Sequence, residues 1–241
     1  VQGSDAVINL AGAFADMQAV QADGAGHVAA AAKAAGVRAL VHVSAIGADR
    51  QSASAYGRSK GDGEAAVRAS FADAAILRPS ILFGREDQFI NRFAAMMRLS
   101  PVIPVIAPDA KFQPAYVGDV ADAVIAALGG EAAGKIFEIG GPQVLTMGEL
   151  LRWIADATGR SPLFVDVPDV VAAALATGIG WAPGAPITKD QWLMLQHDNV
   201  VADGAAGLAE LGITPTSLAS VADGWLVQYR RNGRFAELAS R

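Results

Sequence analysis

Tyr56 and Lys60 stand four residues apart in the stretch SAYGRSKGDGE, residues 54–64, where the composition is helical. On a helix that spacing puts both side chains on one face, about one turn apart. A phenol with its pKa near 10 exchanges protons poorly at neutral pH unless a nearby ammonium stabilises the phenolate. The pair therefore suits a ketone or an alcohol that exchanges hydride with a nicotinamide cofactor, Tyr56 acting on the substrate oxygen and Lys60 on both the phenol and a cofactor ribose. Chance alone often produces Y-x-x-x-K in a chain of this size, and one surface turn of an alanine-rich helix is the bland reading. Position strengthens the signal, because the pair opens the helix that follows the apolar run RALVHVSAIG and its Ser44.

The elements that must hold this pair alternate along the chain. DAVINLAG reads as a buried parallel strand running into a loop at Gly12, and GHVAAAAKAAGV as a helix closed by Gly36. RALVHVSAIG is a second strand, SAYGRSKGDGEAAVRAS a second helix and DAAILRPSILFG a third strand. Such alternation predicts βαβ units, a parallel sheet and an α/β doubly wound, Rossmann-like fold. Ligands in such sheets bind outside the carboxyl ends of the strands. Those ends carry Asn9 to Gly12, Ser44, and Arg78 to Ser80.

Further on, FQPAYVGDVADAVIAALGG reads as an extended piece feeding a helix and GKIFEIGG as a strand. TMGELLRWIADATG reads as a helix capped by Thr146, with Glu149 three residues on. From about Ser161 the pattern turns to short, proline-punctuated segments and helices, ending in SLASVADGWLVQYRRNGRF. The expected division is a Rossmann-like nucleotide-binding domain over residues 1–160, with a lobe insertion after residue 83, and a small C-terminal substrate or partner lobe over 161–241.

Composition narrows the function. The 241 residues are 52% hydrophobic and 18% charged, which predicts a globular chain with a sizeable core. A net charge of -5 argues against nucleic acid as a partner. No cysteine is present, and His27, His42 and His197 lie far apart, so no metal site is expected. His42 reads as a packed core histidine, and Asp119 and Asp122 as groups at a helix N-terminus. The uncharged run at 170–188, VVAAALATGIGWAPGAPIT, contains three glycines and two prolines and reads as a buried or interfacial segment. Arg230, Arg231 and Arg234 make the tail locally basic, a solvated helix end or a surface for anionic lipid or an acidic partner.

In order along the chain, VINLAG, LVHVSAIGA, YGRSK, LRPSILFG and FQPAYVGDVADAV resemble the extended and atypical short-chain dehydrogenase/reductases, the epimerase/dehydratase-like family. Within that family the likeness runs to the branch of the NAD(P)-binding accessory subunit of respiratory complex I and its bacterial relatives. FEIGGPQVLTMGELL and PITKDQWLMLQHDNVV look like that branch's later signatures. The resemblance implies NAD(H) or NADP(H) as cofactor. It places Asn9, Leu10, Ala11 and Gly12 along the diphosphate and adenosine-ribose side, and Ser44 near the nicotinamide. Tyr56 and Lys60 would meet ribose and substrate, and Pro79, Ser80 and Ile81 the nicotinamide carboxamide. It also implies other complex I subunits and a membrane surface as partners. The expected location is cytoplasmic, peripheral on the cytoplasmic face of a bacterial inner membrane or on the mitochondrial matrix side.

Two departures from the family pattern bear on activity. Active extended members read Ser-Ser or Ser-Thr at the strand end, whereas here the pair is Ser44-Ala45, which leaves the proton relay one hydroxyl short. Loss of a positioned donor costs on the order of a hundredfold in rate, so a member that holds nucleotide without turnover is expected. The alternative is a free-standing NAD(P)-dependent oxidoreductase or epimerase using Tyr56, Lys60 and Ser44. The G-x-x-G-x-x-G turn that offers a helix N-terminus to the pyrophosphate is also absent. Two βα units, roughly seventy residues, ordinarily precede a strand like the one at Val7. With the opening VQGSDAVINLAG, this predicts an N-terminally truncated chain with an exposed sheet face and edge.

Overall fold

A computed structural model describes residues 1–182, 185–231 and 233–235, apart from the side chain of Arg234. In chain order the first elements are β1 (Ala6–Asn9), α1 (Gly24–Ala34), β2 (Ala39–Val43), α2 (Ala55–Ser70) and β3 (Ala75–Pro79). There follow β4 (Leu82–Phe83), α3 (Ile90–Leu99), β5 (Val102–Ile106), β6 (Lys111–Phe112), β7 (Ala115–Tyr116), α4 (Val117–Ala126) and β8 (Ile136–Ile139). The last are β9 (Leu145–Thr146), α5 (Met147–Ala157), β10 (Leu163–Val167), α6 (Asp169–Gly178), α7 (Lys189–Met194), α8 (Leu218–Val221) and α9 (Asp223–Leu226).

Two compact units divide the chain, and they interleave along it. The first comprises residues 1–80, 118–140 and 200–215, and the second 81–117, 141–199 and 216–241. The expected boundary at 160/161 with one insertion after residue 83 differs from this division: the chain leaves the first unit after Ser80 and re-enters it at residues 118 and 200.

The first unit is built on a four-stranded parallel sheet of order β1-β2-β3-β8, as the βαβ pattern predicts. β1 is an edge strand, and its Ile8 is 43% exposed. Helices α1 and α2 meet over a core of small residues, Ala25, Ala29, Ala32 and Ala74 with Leu40, Val67 and Phe71. Gly36 ends α1 at φ +70°, the left-handed conformation that a helix-terminating glycine supplies. The helix begins earlier than DGAGHV suggests, because Gln18–Asp23 already form a π-helical turn that runs into it. Such wider turns are uncommon and recur near functional sites.

Three glycines of α2 answer to packing. A Cβ at Gly63 would lie 2.2 Å from the Gln21 carbonyl oxygen of the π-helical turn. At Gly61 it would meet the backbone of Asp49 and Arg50 at 2.5–2.6 Å, and at Gly57 the Ser52 hydroxyl at 2.6 Å. The helix is therefore seated against its neighbours closer than any side chain allows. Ser54 caps it by accepting from the Gly57 amide at 3.2 Å.

The second unit holds a larger-residue core: Phe83, Ile90, Ile103, Leu150, Leu151, Ile154, Trp225 and Leu226. Its strands form three two-stranded pieces, β4 with β7, β5 with β10, and β6 with β9. α5 carries the predicted capping box, Thr146 accepting from the Glu149 amide at 3.1 Å and Glu149 from the Thr146 amide at 2.8 Å. A second box, Thr188 with Gln191, opens α7 inside PITKDQWLMLQHDNVV. That stretch also clamps strands: Asp198 accepts from the Lys111 amide, and Asn199 Oδ1 from the Ile81 amide.

SLASVADGWLVQYRRNGRF is not one helix. It breaks into α8, α9 and two 3₁₀ turns at Val227–Tyr229 and Gly233–Phe235, consistent with the weak helix formers Asp223 and Gly224 at its centre. Of the basic tail, the Arg234 side chain lies outside the described residues, while Arg230 pairs with Asp223 at 2.6 Å and donates to the Ala157 carbonyl. Of the uncharged run, Pro183 and Gly184 lie outside the described residues, while Val170 and Trp181 are more than four-fifths exposed. Among the described residues, no helix is long and apolar enough to cross a membrane.

Candidate functional site

All four strands of the parallel sheet point the same way, so their carboxyl ends form one edge. Asn9, Val43, Pro79 and Ile139 are the last residues of β1, β2, β3 and β8. Most of the residues singled out from the sequence gather at this edge. Ser44 continues β2, its amide donating to the Leu77 carbonyl at 2.7 Å, and Ile46 does the same to Pro79 at 3.0 Å. Ser80 continues β3 and donates to the Ile139 carbonyl at 2.9 Å. Ile81 is the first residue of the second unit, where its carbonyl accepts from Ala115.

Lys60 reaches this edge from α2. It is buried, and its Nζ donates to the Val43 carbonyl at 3.4 Å. A Cβ at Gly12 would lie 3.8 Å from Nζ, an ordinary contact, so the loop after β1 passes just over the ammonium. Leu10, Ala11 and Gly12 of that loop are exposed. Among the described residues nothing requires glycine at position 12, unlike positions 57, 61 and 63. A residue kept small on its solvent side leaves room for a ligand to approach the backbone.

Tyr56 lies on the same helix, its ring centroid 5.8 Å from Lys60 Nζ, and Phe14 stacks on it with ring centroids 5.5 Å apart and planes 20° apart. The expectation that Lys60 lowers the phenol's pKa is not met: burial pushes Tyr56 above its ordinary value. Lys60 is pushed down by burial, with Glu64 opposing. The spacing supplies a shared face, but the ammonium sits toward the ring and the strand end.

Beneath the edge lies a buried polar network that the sequence reading missed. Asn9 Oδ1 accepts from the Ala11 amide at 3.1 Å, and its Nδ2 meets His42 Nδ1 at 3.2 Å. His42 is 1% exposed and its pKa falls to about 4, through burial first and the Lys60 ammonium second, with Glu64 opposing. One turn beyond Lys60, the Glu64 carboxylate takes a two-pronged hydrogen bond from Arg78 at 2.8 and 2.7 Å. Arg78 also donates to Glu138 on β8 at 3.4 Å. A signal was available, since an arginine inside the apolar strand AILRP demands a buried partner. Among the described residues, the Ser44 Oγ and His42 Nε2 are buried and have no hydrogen-bond partner. Buried polar atoms are normally satisfied, so an unpaired hydroxyl at a strand end fits a ligand that brings its own polar group.

A cleft of about 480 Å³ on another face of α2 is lined by Asp16, Arg58 and Asp62 among others. Two of its charged groups are engaged elsewhere: Arg58 donates to the Ser52 and Ala53 carbonyls, and Asp62 accepts from Arg50. Among the described residues, no group of acidic or histidine side chains could hold a metal ion.

Comparison with known proteins agrees with this architecture. The family model for the RmlD substrate binding domain matches residues 13–177, more than half of the chain. The chain is 36% identical over 227 residues to the rat protein NADH dehydrogenase (ubiquinone) 1 alpha subcomplex subunit 9, mitochondrial, covering 90% of this chain and 60% of that one. It is 31% identical over 175 residues to the ceramide reductase of Caulobacter vibrioides, covering 70% of this chain and 55% of the relative. The chain thus spans little more than half the length of these relatives. Among solved structures, dTDP-4-dehydrorhamnose reductase of Bacillus anthracis, in complex with NADP, superposes with a TM-score of 0.69 at 16% identity over 93% of this chain and 80% of that one. The chain belongs to the RmlD-like, extended short-chain dehydrogenase/reductase family.

Proposed function

We propose that this member of the RmlD-like family holds a nicotinamide dinucleotide, NAD(H) or NADP(H), as a mainly structural group, and serves as an accessory subunit of an NADH:quinone oxidoreductase. The observation that carries the reading is the state of the Tyr56/Lys60 pair. Lys60 is buried and Tyr56 half-buried, Tyr56 is shifted away from proton loss, and Ala45 stands where a second hydroxyl would polarise a substrate. A bound nicotinamide supplies a hydride donor or acceptor; what this pair lacks is an effective proton relay beside it. The likeness to the mitochondrial NADH dehydrogenase subunits over nine-tenths of the chain supports the same assignment.

In this reading Asn9, Leu10, Ala11 and Gly12 line the diphosphate and adenosine ribose, where an open loop beside an ammonium suits an anionic group. Lys60 and Tyr56 face the nicotinamide ribose. Ser44 offers its unpaired hydroxyl near the nicotinamide, and Pro79 and Ser80, with Ile81 next along the chain, lie by the carboxamide. The partners are then the neighbouring subunits and the membrane surface beneath them, on the cytoplasmic face of a bacterial inner membrane or the matrix side of a mitochondrial one.

A second reading, a free-standing NAD(P)-dependent oxidoreductase or epimerase, rests on the intact Tyr56/Lys60 pair and the likeness to a ceramide reductase. One experiment separates the two. The protein is isolated from native extract, its size is followed by gel filtration, and any nucleotide released on denaturation is identified by mass spectrometry. It is also incubated with ketones, alcohols and nucleotide sugars. Comigration with the respiratory complex and retained nucleotide without turnover are expected. Turnover that Tyr56→Phe abolishes would overturn the accessory-subunit reading.

A further inference from the structure

The histidine beneath the loop after β1 has no part in the chemistry above, yet it is the group on which that loop's first side chain rests. Asn9 and His42 are register partners across β1 and β2. The Asn9 side-chain oxygen Oδ1 accepts from the Ala11 amide, which fixes the other end of the side-chain amide, its NH₂, toward His42 Nδ1 at 3.2 Å. An NH₂ group only donates, so Nδ1 must be the acceptor and the ring proton must sit on Nε2. The reverse amide orientation would set the Asn9 NH₂ against the Ala11 N–H, donor against donor.

We propose that His42, as the neutral Nε2–H tautomer, is a positioning residue for the nucleotide-binding loop: by accepting from Asn9 it holds the turn Asn9–Ala11, and with it Leu10 and Gly12, in the shape that receives a diphosphate. A protonated imidazole would present N–H to NH₂ and release the amide. The surroundings keep the ring neutral. His42 is buried, its β3 register partner is the apolar Ile76, and the charged groups acting on it are Lys60 and Glu64 of α2. The burial and the ammonium outweigh the carboxylate, in the direction that favours the neutral form. The proposal rests on the nucleotide reading above, and its test separates the two.

Protein labelled with ¹⁵N at histidine reports the tautomer directly, and amide hydrogen exchange at Ala11 reports the turn. Expected are an unprotonated Nδ1 and a protected Ala11 amide in a loop that is otherwise exposed. His42→Leu should speed Ala11 exchange and raise the dissociation constant for NAD(H) or NADP(H), each by about three- to tenfold, the worth of one such hydrogen bond. His42→Gln, whose side-chain oxygen can accept from Asn9, should restore both to within about twofold on the same scale. Asn9→Asp keeps the acceptor for Ala11 but removes the donor, and should raise the His42 titration, read by the ring ¹⁵N shifts. That measurement decides the matter if His42→Leu fails to fold. A protonated Nδ1, or equal Ala11 exchange in wild type and a folded His42→Leu, overturns the proposal. If Ala11 exchange follows His42 while no nucleotide binds, the loop assignment stands and the nucleotide reading falls.

Discussion

Of the eleven polar or charged side chains buried among the described residues, ten, from Asn9 to Asp119, belong to the unit of the parallel sheet, and Thr158 alone belongs to the other. Thr158 merely bonds back to carbonyls of its own helix, Ile154 and Ala155. The apolar cores differ in the opposite sense: alanine-rich beneath α1 and α2, and Phe, Ile, Leu and Trp around α5. Small residues let backbones approach closely, and closeness brings strand ends, helix faces and polar groups within hydrogen-bond reach. Large residues supply apolar burial and ask little of geometry. The first unit is therefore held largely by close polar contacts, with the Ser44 hydroxyl and His42 Nε2 left open, and the second by volume.

Four perturbations would break or sharpen that contrast. The largest effect is expected from Arg78→Ala, which leaves Glu64 buried without its cation and should lower stability to urea by about 3–5 kcal/mol. Hydrogen exchange should show the loss concentrated in the first unit; a loss below about 1 kcal/mol, the size of a surface ion pair, would mean that the network is solvated. Next is acid. His42 is held at about 4 against an ordinary 6.5, so the unfolded state binds its proton first. Its contribution is complete above pH 6.5 and lost as pH falls toward 4, about 3 kcal/mol in all. Urea titrations at pH 7 and pH 4.5 on wild type and His42→Gln measure it, since the variant should lose that part of the pH dependence.

A smaller effect belongs to the second unit. Thr146→Ala removes one arm of the α5 capping box and should destabilise by about 1 kcal/mol. The shift in urea midpoint should not vary between pH 7 and pH 6, because the threonine hydroxyl does not titrate. Smallest is Gly12→Ala, whose added methyl meets only Lys60 Nζ at ordinary contact distance. Stability should change by less than about 0.5 kcal/mol, as at an undemanding surface position. Nucleotide affinity, measured by titration calorimetry, should nonetheless drop. An unchanged affinity would remove the diphosphate from this loop.

The sequence made visible what is local. The order of strands and helices, the box at Thr146 and the end of α1 at Gly36 all follow from residues a few positions apart. The carboxyl edge was also legible, because a parallel sheet places every strand end on one side. Burial was not. The spacing of Tyr56 and Lys60 gives a common face but says nothing of the water around it, and desolvation sets the direction of both shifts. Of the interleaving, the sequence suggested only a lobe insertion after residue 83; the returns at residues 118 and 200 were hidden, since the exits at Gly140 and Pro215 carry no composition change. His42 looked like core because it is core; its bond to Asn9 depends on strand register, which one sequence does not display.

The seating of α2 has a consequence for how tolerance to substitution would be distributed. A scan of every side chain along residues 54–64 should find Gly57, Gly61 and Gly63 at least as unforgiving as Tyr56 and Lys60, because each added methyl meets atoms at 2.2–2.6 Å. An observer with only that scan would draw a functional patch around the whole turn. Intolerance there would be measuring the closeness of two backbones, and a binding assay on the folded survivors would be needed to tell a ligand's demand from a neighbour's.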